Sequence, residues 1–217
     1  MTDKFDFYDV MATLVPGILI VALIGVLFPA MQNRLESGHD GAFAVMALTA
    51  LSVFAGQLLV AVGSLVEPLL YRTWGGNPSD AALTEGLGNR YLPKTKGAAI
   101  RAKLAAECEP DAETVSLFIK AMSLANGAAG SKADRFNGLY AYHRTLLVLA
   151  VAALGLVVLS RFDGLAREWS LGGLAAALAF LCGLVSLCWH RARQRAFYFV
   201  REVLMTAEQE ISKKGIA

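Results

Sequence analysis

Polar and small side chains recur along one face of the second long apolar stretch, residues 41–66 and the turn after it. The residues that share this face are Thr49, Ser52, Gly56, Gln57, Gly63, Ser64 and Glu67. A helix turns about 100° per residue, so all seven fall within an arc of about 140°. Such a face is unfavourable against lipid. Two interpretations follow: close helix packing through small residues, or the lining of a pore or cavity with Glu67 near its cytoplasmic mouth. A pore would need a symmetric oligomer, because four helices of one subunit cannot enclose it.

Basic and aromatic residues are concentrated in the segment that follows. They are Arg72, Trp74, Arg90, Tyr91, Lys94, Lys96, Arg101 and Lys103, against only two acids, Asp80 and Glu85. Cations pair with phosphates and rings stack on unpaired bases, so this pattern predicts a binding site for a single-stranded oligonucleotide. The alternative is the usual basic bias of a cytoplasmic segment and its contact with anionic lipid. An acidic run follows at Glu107, Glu109, Asp111 and Glu113.

Motifs of catalysis and metal binding are missing from the sequence. It contains no His-Glu-x-x-His, no Gly-x-Ser-x-Gly and no Cys-x-x-Cys, and its three histidines are scattered. Residues 127–132 (GAAGSK) have the wrong glycine-to-lysine spacing for a phosphate loop, and Ala133 replaces the magnesium-binding hydroxyl. We therefore expect neither an enzyme nor a metal or cofactor site.

Four apolar runs must position these residues. Runs without Asp, Glu, Lys or Arg cover residues 10–33, 41–66, 145–160 and 170–189, within a chain of 217 residues that is 56% hydrophobic and 18% charged. A transmembrane helix needs about 20 mostly apolar residues. The third run is shorter, and it can span if Arg144 snorkels to the headgroups. The sequence predicts an all-α membrane protein with four transmembrane helices.

Lysine and arginine are distributed unevenly between the two sides of these helices. Seventeen lie in 1–9, 71–144 and 190–217, and three lie in the loops 33–41 and 161–169. The positive-inside rule therefore places both termini and the long central segment in the cytoplasm. The predicted domains are a first transmembrane hairpin (1–70), a helical cytoplasmic insert between spans 2 and 3 (71–143), a second hairpin (144–190) and a cytoplasmic C-terminal helix (191–217).

Local patterns predict the elements of the cytoplasmic part. Ser79 is expected to cap a short helix through Leu83, and further helices are expected over 97–107 and 111–125. Residues 134–144 should lead without a break into the third span. In the tail, apolar residues recur at helical spacing and indicate a packed helix. These residues are Phe197, Val200, Leu204 and Ile211.

Several short motifs together support a family resemblance. They are Phe5 to Val10 (FDFYDV), Val15-Pro16-Gly17, Gly63 to Glu67, and Trp74 to Ser79 (WGGNPS). These motifs resemble small four-span membrane effectors of bacterial antiphage defence, most closely that of the Hailong system. The resemblance implies a homotetrameric ion channel of the bacterial inner membrane. It further implies a nucleotidyltransferase, encoded nearby, that makes a single-stranded oligodeoxyadenylate. That oligodeoxynucleotide would hold the channel closed, and its loss would depolarise the cell.

A hypothesis of another class remains beside the channel. The chain would then be a non-conducting four-span sensor or assembly module that recruits a cytoplasmic partner through residues 71–144.

Overall fold

The chain is all-helical over the residues that its structure describes. A computed structural model describes residues 7–28, 41–108, 112–160 and 170–214, with side chains from Thr13 onward in the first helix. The predicted loops 33–41 and 161–169 lie essentially outside these ranges, as do Glu109 and Asp111. The helices are α1 (Phe7–Leu27), α2 (Gly41–Trp74), α3 (Pro78–Thr84), α4 (Lys94–Ala106), α5 (Thr114–Gly127), α6 (Ala133–Leu159) and α7 (Leu171–Lys214).

Three of these helices, α2, α6 and α7, are long and apolar enough to cross a membrane. In α1 the side chains are described over Thr13–Leu27, and this stretch is apolar but shorter than the other three helices. The predicted continuity of two elements is confirmed: α6 runs unbroken from Ala133 through the third apolar run, and α7 continues from the fourth run far into the tail. The structure divides into two compact units, residues 1–65 with 141–192 and residues 66–140 with 193–217. We call them the apolar unit and the insert unit.

Helices α1 and α2 of the apolar unit approach each other backbone to backbone. A Cβ atom on Gly17 would lie 1.8 Å from the carbonyl oxygen of Ser52, and one on Gly56 would lie 2.0 Å from that of Thr13. No side chain fits at either distance, so glycine is required at both positions. The two glycines therefore set the α1–α2 crossing, as small residues do in membrane helices.

Large apolar side chains of the apolar unit mostly point outward. One cluster among its described residues has Ile20, Leu59 and Leu149 as buried members, each 7–8% exposed. Many others are exposed, among them Phe43, Val45, Met46, Phe54, Leu58, Leu65, Leu171 and Phe180. A soluble domain would hide such residues in its core. This surface fits a lipid environment.

The insert unit has a conventional hydrophobic core. Helices α3, α4 and α5 surround the C-terminal part of α7, and the buried side chains include Leu83, Ile100, Leu104, Leu117, Val203 and Leu204. The predicted packing face of the tail is confirmed, because Val200 and Leu204 are buried and Phe197 and Ile211 pack against the same core. The insert and the C-terminal helix thus share one core.

The short helix α3 begins in a way that the sequence analysis did not identify. Asn77 is the N-cap, and its side-chain oxygen accepts hydrogen bonds from the backbone N–H of Ser79 and from the Ser79 hydroxyl. Pro78 occupies the first turn, where its missing N–H costs nothing. The prediction of Ser79 as the cap was wrong, because the Asn77 side chain caps the helix two positions earlier and Ser79 already lies in its first turn. Helix α4 begins at Lys94, directly after Pro93 and three residues before its predicted start.

Candidate functional site

The polar face of α2 divides into a packed half and an exposed half. Ser52, Gly56 and Gly63 are buried within the apolar unit. Ser52 and Gly56 lie against α1, while a Cβ on Gly63 would lie 3.3 Å from Nε of Arg144 on α6. These three residues fall within about 40° of one another around the helix. This half of the face makes close helix contacts within one chain.

Thr49, Gln57 and Ser64 make up the exposed half. Gln57 and Ser64 lie about 80–140° around α2 from the three packed residues, while Thr49 lies only about 20–60° from them, two turns before Gly56. The hydroxyl groups of Thr49 and Ser64 donate hydrogen bonds to the backbone carbonyls of Val45 and Val60, respectively. The Gln57 amide makes no hydrogen bond within the part of the chain that the structure describes. An exposed amide on such an apolar helix needs water or another polar group as a partner.

Arg144 is drawn into the apolar unit. Its side chain is 8% exposed, and its Nη2 donates a hydrogen bond of 3.1 Å to the Ser64 hydroxyl. The sequence analysis expected this side chain to extend toward lipid headgroups. Instead it lies against α2, because Gly63 leaves room for the guanidinium. A positive charge thus lies beside the exposed polar half of α2.

Glu67 belongs to a hydrogen-bonded cluster in the insert unit. One carboxylate oxygen accepts hydrogen bonds from the hydroxyl groups of Tyr71 and Tyr140, the latter at 2.8 Å. The Trp74 ring lies against both tyrosines, with centroid distances of 5.6 and 6.4 Å. Trp74 is 6% exposed, and its indole N–H is buried and has no hydrogen-bond partner among the described residues. Its ring is therefore occupied within the fold and not displayed for stacking on a base.

Two of the predicted ligand-binding lysines are engaged by an acid from the tail. Lys96 and Lys103 on α4 both bind the Glu208 carboxylate on α7, with Nζ–O distances of 2.6 and 2.9 Å. Burial would raise the pKa of Glu208, but the hydrogen bonds and charges of the two lysines outweigh it and hold the pKa below its ordinary value. The two lysines and the Glu208 carboxylate together therefore carry a net charge of about +1 at this face of α4.

The remaining predicted cations occupy different surroundings. Arg101 lines an open groove with Asp80 and Glu113, so two carboxylates accompany it there. Arg72 and Lys94 have exposed side chains. The structure thus does not gather all eight predicted ligand residues into one patch.

An arginine–aromatic cluster forms around Tyr91, one of the predicted ligand residues. The Tyr91 ring contacts the rings of Phe197 and Tyr198 edge-on, at 5.3 and 5.2 Å. The Arg90 guanidinium lies 5.7 Å from the Tyr91 ring centroid, and that of Arg193 lies 5.2 Å from the Phe197 centroid. Phe136 extends the cluster toward Tyr198.

Sequence reasoning missed the part of this cluster that α7 contributes. Phe197 was predicted only as a packing residue, and Arg193, just after the fourth span, only as a contact of lipid headgroups. Their spacing of four residues on a helix places a cation over a ring, which was the available signal.

No group of three or more metal-binding side chains occurs within residues 7–28, 41–108, 112–160 and 170–214. Comparison of the chain with protein-family models, curated proteins and solved structures found no match.

Proposed function

We propose that this protein is the subunit of an oligomeric, ligand-gated ion channel that acts as an effector of bacterial antiphage defence. In this proposal the protein crosses the inner membrane four times, with both termini in the cytoplasm. It assembles as a homotetramer around the exposed half of the α2 polar face. A single-stranded oligodeoxynucleotide, made by a nucleotidyltransferase encoded nearby, holds the channel closed. Its loss opens the pore and depolarises the membrane.

The observation that carries the channel proposal is the exposed amide of Gln57 on an otherwise apolar helix. Thr49 and Ser64 extend this polar surface along α2, while Ser52 and Gly56 are already used for packing against α1. Polar side chains that a chain does not bury avoid lipid by facing a second copy or a water-filled path. A symmetric assembly supplies both, since each copy presents the same strip toward the axis.

A non-conducting sensor or assembly module is the second candidate. Its support is the surface of α5, where Val115 and Ile119 are exposed beside the groove that Arg101 shares with Glu113. Apolar residues rimmed by both charges are typical of a protein-binding surface. In this function the exposed strip of α2 would bury itself in a closed, non-conducting oligomer.

Conductance of the purified full-length protein in planar bilayers separates the two candidates. The channel proposal expects single-channel currents without ligand and their loss on adding a 12-nucleotide single-stranded deoxyadenylate. Gln57→Leu should reduce the unitary conductance at least twofold, because it removes the polar group from the path. Leu58→Ala, about 180° from Thr49 around the same helix, is the matched control and should conduct as the wild type does. A silent bilayer both with and without the oligonucleotide contradicts the channel and favours the sensor.

Ligand binding has its own test. Charge reversal of Arg90, Lys94 and Lys96 together should weaken binding of the same oligonucleotide at least tenfold at low salt, and the wild-type affinity should fall as salt rises. The double variant Arg90→Glu with Lys94→Glu leaves the Lys96–Glu208 ion pair intact and controls for loss of fold. Equal binding by the wild type and the triple variant would exclude this basic segment as the ligand site.

A further inference from the structure

We propose that the arginine–aromatic cluster of the insert unit is a stacking site for an unpaired nucleobase, with its two guanidiniums binding the flanking phosphates. The cluster consists of Arg90, Tyr91, Phe136, Arg193, Phe197 and Tyr198. This inference rests on the proposed oligonucleotide ligand, and it moves the binding site from the basic insert alone to a surface that the insert and α7 build together.

The first step is the continuity of the cluster. Arg90 lies over Tyr91, Tyr91 meets Phe197 edge-on, and Arg193 lies over Phe197. Two guanidiniums are therefore joined through two rings in contact. Planar guanidinium groups pair with phosphate oxygens through two parallel hydrogen bonds, and they also stack on flat π systems. A nucleotide presents both partners, a phosphate and a flat base.

The second step is accessibility. Tyr91, Phe197 and Tyr198 are each partly exposed, and Tyr91 and Phe197 also pack against the insert-unit core. Arg90 is exposed on the turn between α3 and α4. That turn is held in place by a hydrogen bond from the Leu87 N–H to the Leu92 carbonyl and by hydrogen bonds from the Tyr91 and Leu92 N–H groups to the Gly88 carbonyl. Gly88 has a left-handed backbone, at φ +81°. A partly open ring on a fixed turn provides a preorganised platform for stacking.

The third step is the state of the other candidate residues. Glu208 already binds Lys96 and Lys103, Arg101 shares its groove with two carboxylates, and Trp74 is buried. Arg90 has a π face as its neighbour and makes no ion pair within the described residues. The cluster is therefore where positive charge and open aromatic surface coincide.

The chemistry of the cluster selects the form of the nucleic acid. A duplex keeps its bases paired and stacked on one another, so it can offer the cluster only phosphates. A single strand offers base faces as well. Stacking accepts any base, so the cluster selects single strands over duplexes more strongly than one sequence over another. An anionic lipid headgroup would bind the guanidiniums and leave the rings unused, so the rings distinguish it from a nucleotide.

The test measures binding of a 12-nucleotide single strand that carries the fluorescent base 2-aminopurine to the full-length protein in phosphatidylcholine nanodiscs. These discs carry no anionic headgroups that compete. We expect quenching of 2-aminopurine on binding, as stacking produces, and at least tenfold weaker binding of the matching duplex. Arg90→Gln should weaken single-strand binding at least fivefold. Arg101→Gln, an exposed cation on α4 that faces carboxylates, is the matched control and should change it less than twofold.

Two further variants separate stacking from charge. Tyr91→Leu keeps apolar volume but removes the ring, and should both weaken binding at least fivefold and abolish the quenching. Tyr91→Phe keeps the ring and should retain the quenching. Because the Arg90 side chain is exposed, Arg90→Gln remains informative if Tyr91→Leu fails to fold.

Failure of this inference is distinguishable from failure of the proposed function. Wild-type affinity in both Arg90→Gln and a folded Tyr91→Leu, with conductance still controlled by the oligonucleotide, overturns the stacking site and leaves the channel standing. Equal affinity for duplex and single strand also overturns it. If Arg90→Gln loses binding to phosphatidylglycerol vesicles but binds the single strand as the wild type does, the cluster is a lipid-binding site. A wild type that binds no single strand overturns the inference and the oligonucleotide ligand together, while conductance is judged separately.

Discussion

Different kinds of contact dominate inside the two units of this chain. In the apolar unit the closest approach is between backbones, where Gly17 meets Ser52 and Gly56 meets Thr13. In the insert unit one glycine, Gly97, makes a similar approach to the Ala82 carbonyl oxygen, but most of the packing is between large side chains, with residues such as Leu104 and Leu204 fully buried around α7. The same helices, α2, α6 and α7, contribute residues to both units. Within each of these helices, the main kind of packing contact therefore differs between the part in the apolar unit and the part in the insert unit.

The difference follows from the solvent that each unit is built for. Water drives leucine and valine into a core, at about 25 cal/mol per Å² of apolar area removed from it. Lipid is as apolar as leucine, so helices there associate through close van der Waals contact instead. The exposed Phe54 and Leu65 of the apolar unit would be a liability in water and cost nothing in lipid. Four substitutions test this comparison, from the largest expected effect to the smallest.

Gly17→Ala should have the largest effect. Its Cβ would lie 1.8 Å from the Ser52 carbonyl oxygen, a backbone atom that cannot rotate away. We expect α1 and α2 to separate, with a fall of more than about 10 °C in the melting temperature of the detergent-solubilised protein. Gly155→Ala on α6 is the control, because a Cβ there meets nothing within 4 Å. It should leave the melting temperature unchanged or raise it. Equal behaviour of the two variants would mean that glycine packing does not hold the apolar unit.

Leu117→Ala tests the insert unit by the opposite operation, removal of volume. Leu117 is 1% exposed on α5, and truncating such a residue costs about 2–5 kcal/mol. The measurement is hydrogen exchange of the α5 amides, whose protection should fall accordingly. Ile119→Ala on the same helix, at a position that is 61% exposed, should change protection by less than about 0.5 kcal/mol. A large effect of Ile119→Ala would show that this exposed surface is covered by another molecule.

Patterns that recur within one helix were read correctly from the sequence. The apolar runs of α2 and α7 and the spacing of Val200 and Leu204 in the tail depend only on the helical repeat. The repeat fixes which residues share a face whatever the face contacts. The confirmed all-helical fold and the long apolar helices are of this kind.

Partners from distant parts of the chain were not readable. Lys103 and Glu208 are 105 residues apart, and Glu67 and Tyr140 are 73 apart. No local rule brings such residues together, because their contact depends on how α4 packs on α7 or how α2 packs on α6. For the same reason the eight predicted ligand residues do not form one site. In the folded chain Lys96 and Trp74 contact other residues, and Tyr91 packs against aromatic rings of α7.

Tyr140→Phe should have a moderate effect. It removes a 2.8 Å hydrogen bond to the Glu67 carboxylate, which still accepts one from Tyr71. Hydrogen bonds to charged groups contribute about 1.5–3 kcal/mol. Trp74→Phe is the matched comparison, since the buried indole N–H that it removes has no partner. Removing this buried N–H group is favourable and offsets the loss of ring volume. We therefore expect the free energy of unfolding to change by less than about 1 kcal/mol. Thermal unfolding measures both, and a larger loss from Trp74→Phe would contradict this account of the cluster.

Glu208→Gln should have the smallest effect and the one that depends on pH. Lys96 and Lys103 are 40% and 42% exposed, so water and salt screen their attraction to Glu208. Each pair is therefore expected to contribute no more than about 1 kcal/mol. The pKa of Glu208 is below its ordinary value of 4.5 in the folded protein, because the lysine hydrogen bonds and charges exceed the opposing effect of burial. Its stabilising contribution is then fully present above pH 4.5 and is lost as the pH falls through the folded pKa.

The free energy of unfolding should therefore differ between the wild type and Glu208→Gln by a constant amount from about pH 6 to pH 8. The difference should shrink below about pH 4 and in 1 M salt. Glu210→Gln, which loses only a pair with the exposed Lys213 one turn along the same helix, should stay within about 0.5 kcal/mol of the wild type. Equal stability of the wild type and Glu208→Gln at neutral pH would mean that Glu208 stabilises the core by its shape, which glutamine keeps, and not by its charge. The insert unit would then resemble the apolar unit more closely, because packing without charge would hold both together.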